Sequence, residues 1–224
     1  MTKTNLTQRF FPLLLTAVLV FSLLPLSARA AGEYTAAGAT YFKFTSGAIT
    51  AADGSYTGYA IDGAGLTIQS AGTYIVSGSC SDGSITVKKG VTGVTLVLNG
   101  LTLTSADTAP IACNKSSGVT IVAAPGTVNT LTDAAYNNDD NYPDNELAES
   151  AVIKCKDGSQ VTICGSGTLN IASNGKNGIK SGAATDAEGE AWLVIRDVTL
   201  NITAAVNDGI NAEQSLTISS GSIT

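Results

Sequence analysis

The phrase that decides the fold is Val161-Thr-Ile-Cys-Gly-Ser-Gly-Thr-Leu-Asn-Ile171, closing at Asn177-Gly-Ile-Lys180. It returns as Leu193-Val-Ile-Arg-Asp-Val-Thr-Leu-Asn-Ile202, closing at Asn207-Asp-Gly-Ile-Asn211. A third copy, Leu216-Thr-Ile-Ser-Ser-Gly-Ser-Ile-Thr224, ends with the chain. Each copy holds two short alternating apolar/polar runs, a Gly-containing corner, and a further run after Asn-Gly or Asp-Gly. Alternation is the strand signal, and Gly and Asn mark corners. A phrase repeated at a fixed step is the mark of a stacked repeat architecture.

The repeat extends toward the N-terminus. Its opening apolar residues are Leu66, Val94, Val119, Val161, Leu193 and Leu216, with steps of 28, 25, 42, 32 and 23 residues. The two long steps carry polar insertions, Asp133–Glu149 and Gly182–Glu190. A leucine-rich repeat is excluded, because Thr, Ile, Val and Gly dominate and the Leu-x-x-Leu-x-Leu spacing is missing. The reading is all-β: a right-handed parallel β-helix of about five to six turns. Stacking places Leu96, Ile121, Ile163, Ile195 and Ile218 in one inward column, and Ile85, Ile111, Ile153, Ile179 and Ile210 in another. Truncating one such residue to Ala would cost on the order of 2–5 kcal/mol. Cys113 and Cys155 share one offset on successive copies, either as small buried side chains or as a bridged pair.

The chain has 224 residues. Residues 1–30 carry Lys3 and Arg9, an apolar run from Phe10 to Leu26, and Ala28-Arg29-Ala30, the layout of a secretory signal peptide. The run is short for a membrane span and contains Ser22 and Pro25. Secretion to the cell exterior or surface is the expectation, with no membrane association after cleavage. Residues 31–64 read as a cap of irregular strands, and 65–224 as the repeat domain. A chain that stops inside a repeat predicts a longer protein. Without residues 1–30, nine Lys and Arg stand against 18 Asp and Glu, a net charge of −9. Nucleic acid is therefore a poor partner. No His is present, which excludes Ser-His and Cys-His catalytic arrangements and His-based zinc sites.

The densest polar stretch is the first insertion. Asp133, Asp139, Asp140, Asp144, Glu146 and Glu149 fall there with no basic residue, interleaved with Asn137, Asn138, Asn141 and Asn145. Acidic runs are commonly solvated loops, yet so many oxygen donors also suit calcium. The candidate metal ligands are Asp133, Asp139, Asp140, Asp144 and Glu146, then Asn207 and Asp208. Tyr136 and Tyr142 are candidate sugar platforms. Trp192 is either core or a platform.

Thr130-Leu-Thr-Asp133, the acidic insertion, Ala151-Val-Ile, Asn177-Gly-Ile-Lys and Asn207-Asp-Gly-Ile together resemble a family of secreted carbohydrate-binding β-helix proteins with a pectate-lyase-like fold. Gly72-Thr-Tyr-Ile-Val-Ser-Gly and Leu96-Val-Leu-Asn-Gly match its opening segments. The resemblance implies bound calcium and binding to plant-type polysaccharides such as cellulose or polygalacturonate. One departure stands out: the family's Asp-Asp-Gly-Ile corner is Lys176-Asn177-Gly-Ile here, so a potential metal ligand is replaced by a cation.

Three functions fit to different degrees. The first is a non-catalytic, monomeric polysaccharide-binding protein. The second is a structural adhesin or stalk. The third is a calcium-dependent lyase, which needs a base to remove the proton α to a uronate carboxylate. Arg196 lies beside Asp197, which keeps it charged. Lys154, Lys156 and Lys180 would serve only if desolvated.

Overall fold

The computed structural model describes residues 34–52, 57–203 and 206–224. The signal-peptide reading of residues 1–30 lies outside the described residues. Every regular element in them is a strand: β1 (Thr40–Thr45), β2 (Ala48–Ala52), β3 (Tyr59–Asp62), β4 (Gly65–Ile68), β5 (Gly72–Cys80), β6 (Ser84–Val87), β7 (Val94–Ser105), β8 (Ile111–Cys113), β9 (Gly118–Ala123), β10 (Val128–Asp133), β11 (Ala151–Cys155), β12 (Gln160–Cys164), β13 (Thr168–Ala172), β14 (Asn177–Ser181), β15 (Trp192–Ile195), β16 (Val198–Thr203), β17 (Ile210–Ala212), β18 (Ser215–Ile218) and β19 (Gly221–Ile223). No helix there is long and apolar enough to cross a membrane.

The strands form two sheets. Twelve of them make one curled sheet in the order β18-β15-β12-β9-β7-β10-β13-β16-β19, with β5, β1 and β2 branching from β7. The other seven run β17-β14-β11-β8-β6-β4-β3. β7 is the hub. Its first half, Val94–Leu98, pairs with β9, and its second half, Thr102–Ser105, pairs with β10.

This corrects the expected right-handed parallel β-helix of about five to six turns. The chain builds a curled, half-barrel parallel sheet with a second sheet, not a clear right-handed solenoid. The physical reason lies at Asn99-Gly100, which reads as a corner in sequence. Gly100 takes a φ of 73° and absorbs the bend while β7 continues through it. The Gly100 and Leu101 N–H groups donate to Asn129 Oδ1, at 2.9 and 3.0 Å, so the bend leaves no buried donor unpaired. The first strands depart from a stacked repeat too, since β1 pairs with β2 and β3 with β4 antiparallel.

The inward columns are where the alternation puts them. Leu96, Ile121, Ile163, Ile195 and Ile218 lie in register on β7, β9, β12, β15 and β18. The first four are fully buried, while Ile218 on the last strand is 51% exposed. Ile85, Ile111, Ile153, Ile179 and Ile210 align in the seven-stranded sheet. Cys113 and Cys155 are register partners there, and all four cysteines are buried free thiols. Phe42 and Phe44 of β1 join the same core, with Phe42 edge-on to Tyr59 at 4.8 Å between ring centroids.

Of the chain's crossings from the curled sheet to the seven-stranded one, three follow β10, β13 and β16, here the first, second and third. Because those strands stack in register, the crossings stack as well. The acidic insertion, Lys176 and Asn207-Asp208 fall on them, whereas the second insertion, Gly182–Glu190, lies between β14 and β15.

Candidate functional site

The first crossing is the insertion between Asp133, the last residue of β10, and Ala151, the first of β11. Its asparagines are its struts. Asn137 has no solvent exposure. Its Nδ2 donates to Asp133 Oδ2 at 2.9 Å and to the Ala151 carbonyl at 3.0 Å. Its Oδ1 accepts the Glu149 and Ser150 N–H groups at 2.7 and 3.1 Å. All four hydrogen-bonding positions of that amide are thus used. Asn138 donates to the Gly175 carbonyl and accepts from the Asp140 and Asn141 N–H groups. Asn145 donates to the Asp107 and Tyr136 carbonyls, each at 2.8 Å, and accepts the Leu147 N–H.

Asp133 is an anchor rather than an outward ligand. It is 1% exposed, and its Oδ1 accepts the Asn174 and Gly175 N–H groups at 2.6 and 3.1 Å. Burial pushes its carboxyl above the usual range, partly offset by those hydrogen bonds. Gly175 is required by close approach. A Cβ there would collide with the Asn137 carbonyl and the Asp133 carboxylate.

The outward carboxylates are arranged differently. Asp139 accepts the Ser150 hydroxyl, which with nearby Lys176 holds its carboxyl below the ordinary value. Ser150 sits at φ 55°, the left-handed region that non-glycine residues seldom adopt. Lys176 Nζ, from the second crossing, lies 2.5 Å from Asp140 Oδ2 and 3.9 Å from Asp139 Oδ1. Asp144 and Glu146 are exposed. Glu149 pairs with Lys156 at 2.6 Å. On the third crossing Asp208 Oδ2 accepts from Asn211 and Asn207 at 2.7 and 3.0 Å, and Asn207 also donates to Asn177 Oδ1.

Calcium needs six to eight oxygens converging on one point. Here the Asp133 oxygens and the side-chain carbonyls of Asn137, Asn138 and Asn145 already accept protein hydrogens. Among the described residues no three His, Cys, Asp or Glu side chains are grouped to hold a metal ion. This donor set does not fit a calcium site.

The aromatic candidates do reach the surface. Tyr136 and Tyr142 are 43% and 40% exposed and meet edge to face, 4.9 Å between centroids at 64°. Trp192 opens β15 on its outer face, half-buried, in a shallow cleft with Glu190, Gln214 and Ser215. It is not part of the core. The tyrosine pair and Trp192 belong to different surfaces, the first crossing and the curled sheet.

One feature is stronger in the fold than in the sequence. Lys154 and Lys180 lie side by side in register on β11 and β14, facing outward from the seven-stranded sheet. They line a cleft with Lys115, Lys156, Glu149 and Glu213. Lys115 pairs with Asp157, Lys156 with Glu149, and Lys180 with Glu213. Among the described residues no carboxylate pairs with Lys154. Burial, then repulsion from Lys180, lowers its pKa from the ordinary lysine value. The signal is present in sequence: both lysines directly follow an inward isoleucine of the same column. Arg196, by contrast, is paired with Asp197 at 2.9 Å, as the adjacent carboxylate predicts.

Known proteins agree with the fold and narrow the class. Over 115 residues the chain is 36% identical to a carbohydrate-binding domain-containing protein of Acetivibrio thermocellus, covering 51% of this chain and 39% of that relative. It therefore spans well under half of the relative's length. Among solved structures it is similar to the polysaccharide lyase-like protein from C. thermocellum, in a gadolinium derivative. The TM-score is 0.54 at 20% identity, over 82% of this chain and 98% of that one, a likeness of fold. Residues 62–224 match the model of the carbohydrate-binding domain-containing protein family, and the chain belongs to that family.

Proposed function

We propose that the chain is a secreted, non-catalytic and monomeric polysaccharide-binding protein for cell-wall glycans of the cellulose or polygalacturonate kind. The observation that carries this reading is the Tyr136–Tyr142 pair, exposed yet mounted on a loop whose buried asparagines, Asn137, Asn138 and Asn145, are hydrogen-bonded into the fold. A preordered aromatic platform loses little conformational freedom when a sugar ring lies on it. The lysine cleft supports an acidic glycan among the candidates. Glu149 belongs to the loop and lines the cleft, so one chain of sugars can touch both. Lys154 brings the one cleft ammonium without a carboxylate of its own, which suits a single uronate carboxylate despite the net charge of the protein.

The test is depletion from solution by insoluble cellulose and by pectate gel. Wild type is expected to bind pectate, and Lys154→Met to lose several-fold on pectate while keeping its binding to cellulose. Equal pectate binding by both proteins would remove the lysine cleft from the reading.

The desolvation of Lys154 also favours a second reading, a lyase. In it Lys154, once deprotonated, takes the proton α to the uronate carboxylate, the β C–O bond breaks, the departing glycosidic oxygen takes a proton from water to become a hydroxyl, and an unsaturated sugar end is left. Ultraviolet absorbance of pectate incubated with the protein separates the two readings, since binding alone produces none.

A further inference from the structure

We propose that Lys176 is a built-in cation for the acidic loop, seated on Asp139 and Asp140 where a divalent ion would otherwise be drawn. The loop from Asp133 to Glu149 has six carboxylates and no basic residue of its own. The compensating charges come from the neighbouring repeat and from β11's end. Lys156 takes Glu149, and Lys176 takes Asp139 and Asp140.

Lys176 is well placed for this. Only 24% of its side chain is exposed, against 62% and 66% for its two partners. Its backbone is pinned from the other side, where the Asn207 N–H donates to the Lys176 carbonyl at 2.8 Å. The loop residue Asn138 grips the adjacent Gly175 carbonyl. Lysine and loop are thus tied to each other by backbone as well as by charge.

The remaining oxygens explain why one ammonium suffices. Asp133 is saturated by two backbone N–H groups and an amide. The three buried asparagine carbonyls accept backbone N–H groups. Asp139 and Asp140 are what is left facing outward in that part of the loop, and a monovalent, tethered ammonium lies on both. An ammonium needs only a few acceptors, whereas calcium needs six to eight. A divalent ion binding here would have to displace a cation that the fold already holds in place. The loop that carries Tyr136 and Tyr142 is accordingly set in place without metal.

The experiment reads metal binding with no glycan present, so it stands apart from the polysaccharide reading. Terbium emission excited through the tyrosines, and thermal melting with calcium against chelator, are measured for wild type, Lys176→Asp and Lys176→Met. Wild type is expected to show no saturable terbium signal and the same melting temperature in calcium and chelator. Lys176→Asp, which adds a third carboxylate, should gain saturable binding at least tenfold tighter than any seen for wild type. That gain should vanish when Asp139→Asn/Asp140→Asn is added. Lys176→Met, which only removes the cation, should gain less, and it carries the test if the aspartate variant does not fold. A calcium-dependent melting shift in wild type that Asp139→Asn/Asp140→Asn abolishes would overturn the proposal. So would the absence of any gain in both lysine variants.

Discussion

The two insertions of this chain solve the same problem in opposite ways. The first, after β10, is held from beneath. Asn137, Asn138 and Asn145 are buried and thread its backbone to β11, to the second crossing and to the Asp107 carbonyl. The second, between β14 and β15, is held from its tip. Thr185 and Gly189 pair as a two-residue bridge, and Glu188 reaches back to Lys89 at 2.9 Å and to the Ser116 hydroxyl at 2.8 Å. The first is fastened at its core by neutral amides shielded from water, with Lys156 and Lys176 pairing its outer carboxylates. The second has no such amide side chains and leans on the Glu188 carboxylate together with bonds to the Ala183 and Glu188 backbone. The difference teaches where a functional surface can be mounted. Buried amide bonds are insensitive to salt, so the tyrosine loop keeps its shape when ions and charged polymers arrive. The second insertion depends on charge that those same ions screen.

The contrast is easiest to break at Asn137. Asn137→Ala strands two backbone N–H groups and frees Asp133 of one donor. Each buried unsatisfied group costs about 1–3 kcal/mol, so a loss of roughly 3 kcal/mol or more is expected in denaturant unfolding. Glu188→Ala should do far less, and its small effect should disappear in high salt, as exposed ion pairs do. A salt-insensitive Glu188 effect as large as that of Asn137 would erase the distinction.

Titration sharpens the comparison within the first loop. The Asp139 carboxyl is held low in the folded state, so it stabilises the fold above its unfolded value, about 3.9. That contribution is lost as pH falls through the lowered folded value. Asp133 has the opposite sign. Burial raises its pKa, so its charge costs stability at neutral pH and the cost is relieved as pH falls through the raised value. Melting between about pH 3 and pH 6 should show Asp139→Asn less acid-sensitive than wild type. An unchanged acid limb would remove Asp139 from the network.

Much of the fold was legible from alternation alone. The two isoleucine columns, the stacking of Cys113 on Cys155 and the two insertions stand where the spacing puts them. The architecture was not, because Asn99-Gly100 carries the composition of a corner while its backbone donors are rescued by Asn129, 28 residues later from Leu101. The site was legible in position but not in role. Counting oxygens in Asp133–Glu149 shows how many donors exist, but not which are already engaged. Asp133 looks like a ligand in sequence and is an anchor in the fold, because two N–H groups from residues 174 and 175 close over it. Lys176 looks like a lost ligand in sequence and is the partner of Asp140. Trp192 can be read either way, since the period of a strand says which face a residue takes only once its neighbours are fixed. Its register with Gln160 and Ser215 sets it outward.

The most direct test of the account is retention on insoluble cellulose and pectate in the presence of chelator, for wild type and Tyr136→Ala/Tyr142→Ala. The Tyr136 carbonyl that Asn145 holds is backbone, so the loop should survive the substitution, which removes only the edge-to-face packing of the two rings. The account predicts that wild type is retained without calcium, and that the double variant melts close to wild type yet loses about tenfold or more in affinity, the loss of roughly 1.4 kcal/mol. Retention of the folded double variant at wild-type strength, or failure of wild type to bind either polysaccharide, would contradict it.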